Sequence, residues 1–202
     1  MTNSFRRSFE GNTEGEAIID SVLSDKEALE QNPAFICPPE ILERQKVLEV
    51  VYYSLDGKLH RGQIVIDKDL SQDVLEAFDL MRKIEFPLTS AIPIADKRFR
   101  WNDSLSMEAD NSSGFNYRMI LNTSRLSNHS FGRAIDINPL LNPYFPKIGA
   151  DALPKGAVYD ISKPGTLFDG SEIVSLFKKM GWTWGGDWTD RKDYQHFEKS
   201  LK

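Results

Sequence analysis

Residues 46–67 read KVLEVVYYSLDGKLHRGQIVID, two β-branched, partly alternating runs on either side of Asp56-Gly57. Val, Ile and Tyr suit a pleated, half-buried surface, and Asp-Gly accepts the positive φ angles of a tight two-residue turn. The stretch predicts a β-hairpin. His60 falls in its second strand, and the sequence pairs it with no other ligand-type residue, which favours a structural role. Just beyond, Val74, Leu75, Phe78 and Met81 recur at helical spacing and predict an amphipathic helix over Ser71–Lys83. A second helix is predicted from about Ser171 to Met180. Ile173, Val174, Phe177 and Met180 form its inward face, Asp169 or Ser171 caps it, and Gly181 stops it.

Upstream of the hairpin, residues 1–14 read as a flexible tail. Residues 16–31 carry a loose helical pattern through Ile18, Ile19, Val22 and Leu29. Downstream, FNYRMIL (115–121), RAIDIN (133–138) and YQHFE (194–198) read as short strands. Helices and strands interleaved in this way predict one α+β domain over residues 15–202, a mainly antiparallel sheet with helices packed on it. Residues 139–170 hold five prolines and four glycines and show little periodicity. Leu140, Leu141, Tyr144, Phe145 and Phe168 within them predict an ordered wall rather than a linker.

Lys and Arg total 25 against 30 Asp and Glu, a net charge of −5, so there is no electrostatic case for nucleic acid. The single cysteine, Cys37, excludes an internal disulfide or a cysteine metal cluster and reads as a packed residue. No apolar run is long enough for a signal-peptide core or a membrane span. A soluble monomer is expected, with any export signal absent or already removed.

Two segments could carry chemistry: SNHSFGRAIDINP (127–139) and WTWGGDWTDRKDYQHFE (182–198). In RAIDIN, alternation puts Ala134, Asp136 and Asn138 on one face and Ile135 and Ile137 on the other. The isoleucines belong in the core, which turns Asp136 away from it. His129 precedes Gly132, where the chain can turn sharply toward that carboxylate. In the last segment Tyr194, His196 and Glu198 share a face. Asp193 converges with His196 only if it sits in the turn entering the strand. Two imidazoles and two carboxylates match a catalytic zinc, which takes three nitrogen or oxygen ligands and leaves one position for water. The remaining carboxylate would serve as general base and acid. Spacing leaves the two aspartates interchangeable between these roles, and it leaves open a pair of buried structural histidines. Ser127 and Ser130 flank His129, but no Gly-x-Ser-x-Gly elbow supports a serine nucleophile.

The motif Ser127-x-His129-x-x-Gly132-x-Ala134-x-Asp136, followed by Asp193-x-x-His196, resembles the zinc D,D-carboxypeptidase and peptidoglycan endopeptidase family. That family takes in VanY-type D-alanyl-D-alanine carboxypeptidases, D-Ala-D-Ala dipeptidases and phage L-alanyl-D-glutamate endopeptidases. The resemblance covers residues 47–202. It implies a Hedgehog/D,D-peptidase-like fold, one Zn2+ per chain held by His129, Asp136 and His196, and Asp193 as catalytic acid/base. It also implies hydrolysis of an amide bond in bacterial cell-wall peptides, with peptidoglycan or a muropeptide as partner. Arg118 resembles the arginine of the family's F-x-x-R segment and would steady the oxyanion. Its plain alternative is a surface ion pair, and Arg125 and Arg133 are weaker candidates. Ser127 and Trp188 are expected on the substrate side and Trp182 in the core, while Glu198 reads equally as an acceptor behind a ligand imidazole or as a solvated charge. One reading of WTWGGDW is an aromatic wall in which Gly185 and Gly186 let backbone approach the ligand; its plain alternative is core packing after the second helix. A non-catalytic zinc module on the same fold is the competing expectation.

Overall fold

The two strands of the hairpin pair as the sequence predicts and anchor the rest of the chain. Residues 54–58, however, join them as a longer loop, with Gly57 and not Asp56 at positive φ, in place of a two-residue turn. A computed structural model describes residues 17–30, 32–121 and 123–200; the tail expected at 1–14 lies outside them. The elements run β1 (Ile18–Ile19), α1 (Asp25–Ala28), α2 (Pro39–Leu42), β2 (Gln45–Tyr53), β3 (Leu59–Asp67) and α3 (Ser71–Lys83). Then follow β4 (Ser90–Ala91), α4 (Asp103–Glu108), β5 (Asn111–Ser112), β6 (Ala134–Asp136), β7 (Tyr144–Phe145), α5 (Glu172–Lys179), β8 (Thr183–Trp184), β9 (Lys192–Asp193) and β10 (His196–Glu198).

Helices and strands are mixed, as expected, but no single antiparallel sheet organises them. Among the described residues four small sheets do: β1-β3-β2, β6-β10-β8, β4-β5 and β7-β9. The β1–β3 and β4–β5 pairs are parallel, and the others are antiparallel. Most strands are only two or three residues long because prolines, glycines and polar loops interrupt every run except the hairpin.

One apolar core joins the two halves of the chain. Leu48, Val50, Ile64 and Ile66 of the hairpin, Val74, Phe78 and Met81 of α3, and Ile173, Val174 and Phe177 of α5 all enter it. Ile135 and Phe197, which lie opposite each other on β6 and β10, are fully buried in the same cluster. Truncating an aromatic so placed costs about 3–5 kcal/mol. Packing of these two residues therefore fixes which faces of β6 and β10 turn outward.

Two local expectations are corrected. Of the helix expected over 16–31, the described residues 17–30 do not form one continuous helix. Ile18 and Ile19 pair with His60 and Arg61 on the edge of β3, where β-branched residues are favoured. The helix begins only at Asp25, after a capping box in which Ser24 and Glu27 satisfy each other's backbone N–H groups. Residues 115–121 form no strand either, apart from a bridge between Met119 and Leu126. Their backbone is bonded elsewhere: Phe115 N–H donates to Val65 O, Asn116 N–H to His129 O, and Arg118 N–H to Ser130 Oγ.

Residues 139–170 are ordered chiefly by a polar network. The Asn138 and Asn142 amides both donate to Gly165 O, and Leu167 N–H donates to Asn142 Oδ1. The segment then contributes β7 beside β9, and Tyr159 stacks on Tyr194 with ring centroids 3.6 Å apart.

Candidate metal centre

His129 sits in a 3₁₀ turn over Asn128–Phe131. Ser127 caps that turn, its hydroxyl accepting the His129 N–H, and Gly132 ends it with φ 62°. Only glycine fits there: a Cβ would fall 1.9 Å from Gln45 Oε1 and 2.6 Å from Asp67 N. The Gly132 carbonyl in turn accepts the Asp67 N–H, which ties the turn to the end of the hairpin. Asp136 and His196 stand directly opposite in the β6–β10 ladder, so both side chains leave the same face of the sheet.

Three atoms converge at this point. His196 Nδ1 lies 2.9 Å from Asp136 Oδ1, His129 Nε2 lies 3.2 Å from Asp136 Oδ2, and the two ring nitrogens are 3.2 Å apart. Among the described residues, His129, Asp136 and His196 offer donor atoms within 4.8 Å of one another in the arrangement a metal ion takes. The outer sides of both rings are already engaged. His129 Nδ1 is 2.6 Å from Gly114 O, and His196 Nε2 is 3.0 Å from Glu198 Oε2. Both partners only accept, so each ring carries its proton outward and turns a bare lone pair inward. Two lone pairs and a carboxylate facing one another repel unless a cation lies among them. The donor set thus fits a divalent N/O-ligated metal such as zinc.

Without a metal, a proton fills that need. Burial opposes charge on His196, but the hydrogen bonds to Asp136 and Glu198, with the charges of Asp136 and Asp193, outweigh it and lift the ring to about 10. Burial likewise works against the Asp136 carboxylate, yet the His129 charge and the two imidazole bonds hold it below the usual carboxylate range. The His196 bond holds Glu198 at about 2, against its burial.

Asp193 ends β9, immediately before the Tyr194–Gln195 turn that leads to His196, rather than sitting in that turn as the expectation required. Burial pushes its carboxyl up to about 7. The imidazoles of His196 and His129 oppose that rise, and the Asp136 carboxylate adds to it. Its Oδ1 is buried with no hydrogen-bond partner. Opposite it on β7 stands Tyr144, whose hydroxyl is pushed above its usual range by burial and then by the Asp193 charge.

The Arg118 guanidinium bonds Asp103 Oδ2 at 3.0 Å, while its Nε is buried without a partner. The ion pair expected of a plain surface arginine is therefore present on one side of the group only. Arg133 Nε donates to Lys199 O, and its Nη1 lies 3.7 Å from Asp67. Trp188 is half-buried, with its ring 5.5 Å from that of His196 and the Arg191 guanidinium 4.3 Å above it. Trp182 and Trp184 lie in the core. Gly185 and Gly186 serve packing within the chain rather than approach to a ligand: a Cβ on Gly185 would sit 2.5 Å from Asp193 O, and one on Gly186 2.4 Å from the Trp184 ring. Ser127, capped inward and 6% exposed, does its visible work on the His129 turn.

Sequence reasoning missed Gly114 because a backbone carbonyl carries no residue-type signal. It also passed over Asn128, although that residue lies inside the quoted motif and bonds Glu198. Tyr159 and Arg191 went unread because their partners are set by loop geometry.

No curated protein and no solved structure matches the chain. A family model described as D-alanyl-D-alanine carboxypeptidase matches residues 121–199. The match begins after Arg118, includes His129, Asp136, Asp193 and His196, and supports a peptidase-type activity. Over residues 121–199 the chain is therefore similar to the D-alanyl-D-alanine carboxypeptidase family.

Proposed function

We propose that this chain is a zinc-dependent peptidase that hydrolyses an amide bond in peptidoglycan stem peptides, at the D-Ala-D-Ala terminus or the L-Ala-D-Glu link. The observation that carries the reading is the inward convergence of three donor atoms, with the outer nitrogens of both imidazoles already engaged. In this reading residues 15–202 form one metallopeptidase domain of Hedgehog/D,D-peptidase-like fold, acting as a monomer.

His129 Nε2, Asp136 and His196 Nδ1 hold one zinc ion per chain. Bound there, zinc supplies a Lewis acid that acidifies water and polarises a carbonyl. Asp193, lifted by burial to about 7, is matched to a proton acceptor and donor near neutrality. It removes a proton from the attacking water and returns it to the departing amine nitrogen. In this reading Arg118, anchored by its pair with Asp103 and by an Nη1 bond to Met119 O, steadies the substrate oxygen. Trp188 gives the substrate an apolar surface next to His196, and Ser127 acts by holding the His129 turn.

Mass spectrometry of peptidoglycan digested by the zinc-loaded protein tests the reading. Loss of a terminal D-Ala or scission after L-Ala is expected, and Asp193→Ala should remove it while zinc stays bound. Zinc-loaded protein that cleaves no muropeptide would instead be a binding module on the same fold.

A further inference from the structure

Both candidate ligand histidines must present one particular nitrogen, and the structure achieves this in two different ways. For His129 the outer partner is the Gly114 carbonyl, which no substitution removes. For His196 it is a side chain, Glu198, two residues on along β10 and on the same face of the strand. Glu198 is itself held. Asn128 Nδ2 donates to Glu198 Oε2 at 2.7 Å, and this same oxygen lies 3.0 Å from His196 Nε2. Since a carboxylate only accepts, the Asn128 amide must turn its NH2 toward it and His196 must carry its proton on Nε2.

We infer that Asn128 and Glu198 are positioning residues that set the tautomer and tilt of His196. Asn128 acts only through Glu198, and the inference rests on the metal reading proposed above. Asn128 opens the 3₁₀ turn that carries His129, and its carbonyl accepts the Arg133 N–H. The first ligand's turn therefore reaches across to orient the second ligand. Each histidine segment supplies one half of the device: Asn128 stands beside His129, and Glu198 stands beside His196.

Zinc affinity, measured by chelator competition on the full chain, separates this from general structural support. Outer partners of this kind contribute about 10–100-fold in metal affinity. Glu198→Ala should therefore weaken zinc binding by about that factor, and Asn128→Ala by less. Glu198→Gln should recover most of the loss, because an amide oxygen can still accept both bonds. The two losses must also be non-additive: Asn128→Ala should change nothing further in the Glu198→Ala background. Unchanged affinity in Glu198→Ala, or additive losses in the double variant, would overturn the inference. Circular dichroism of the metal-free variants identifies any that fail to fold, in which case the Glu198→Gln comparison decides. Wild-type protein that binds no zinc defeats the metal reading itself, whereas wild-type binding with unaffected variants defeats only the positioning role.

Discussion

His60 on the hairpin edge and the His129–His196 pair are alike in composition and opposite in geometry. His60 lies between Asp20, 2.9 Å from Nδ1, and Asp56, 3.3 Å from Nε2, with Tyr52 bonded to the same Asp20 carboxylate. Its two carboxylates stand on opposite sides of one ring, so both nitrogens are engaged and nothing is left to bind an ion. At the other site, two rings and one carboxylate aim at a single point and satisfy their outer nitrogens elsewhere. A histidine surrounded by acids is therefore not by itself a metal ligand. What matters is whether the lone pairs converge.

The strongest test of that contrast exchanges the fates of the two regions. His196→Ala and His129→Ala should each reduce bound zinc from one ion per chain to well under one, as measured by elemental analysis. His60→Ala should leave the zinc content unchanged and lower stability by about 1–3 kcal/mol in urea unfolding, the loss expected when a buried, hydrogen-bonded side chain is removed. Zinc loss in His60→Ala with the fold intact would break the distinction.

Next in size is Asp193→Asn, which keeps shape but cannot accept a proton. Peptide hydrolysis should fall by about 10²–10⁴-fold with zinc content preserved. Parallel loss of metal would move Asp193 from proton transfer to the ligand set.

Much of this contrast was legible in the sequence, and the reasons are physical. Alternation alone directs Asp136 and His196 away from the core, because Ile135, Ile137 and Phe197 must be buried. The β6–β10 register then sets them side by side. The hairpin and the helices α3 and α5 could be read because their periodicity runs over many residues. Ile18–Ile19 could not, since two residues carry no period and their partner lies some forty positions away on β3. Residues 115–121 alternate like a strand, but the His129 turn takes their hydrogen bonds, and only the folded turn reveals that.

A smaller effect comes from pH. In the metal-free chain His196 is lifted to about 10. Its contribution to stability is complete below the unfolded value of about 6.5 and fades as pH rises toward 10. Asp193, raised to about 7 by burial, has the same sign, since its stability is lost as pH climbs from about 4 through 7. Glu198, held at about 2, acts in reverse and loses its support only as pH falls below about 4.5. The metal-free protein should therefore weaken from about pH 4.5 upward, through Asp193 up to about 7 and through His196 from about 6.5 toward 10, by at most ~1.4 kcal/mol per pH unit for each proton. Zinc needs the His196 lone pair free, so its binding releases that proton and tightens with rising pH. Thermal unfolding from pH 5 to 9 should give curves that diverge upward with zinc. Parallel curves would mean that His196 is not a ligand.

The smallest predicted effect lies at His60, where the two carboxylates are unequal. Asp20 belongs to the N-terminal segment and bonds both His60 and Tyr52, and Arg98 donates to its carbonyl; the bond to His60 thus fastens β1 to β3. Asp56 sits in the hairpin turn with its side chain 43% exposed; it accepts the Lys58 N–H and reaches His60 only at 3.3 Å. Solvent screens such a pair, and exposed pairs contribute about 0–1 kcal/mol. Asp56→Asn keeps the turn bond and removes only the charge, so it should shift the unfolding midpoint barely at all. Asp20→Asn should cost more, because the carboxylate it replaces serves two buried side chains. If the two substitutions prove equal, His60 supports the turn rather than the junction with β1, and its two nitrogens are balanced rather than ranked.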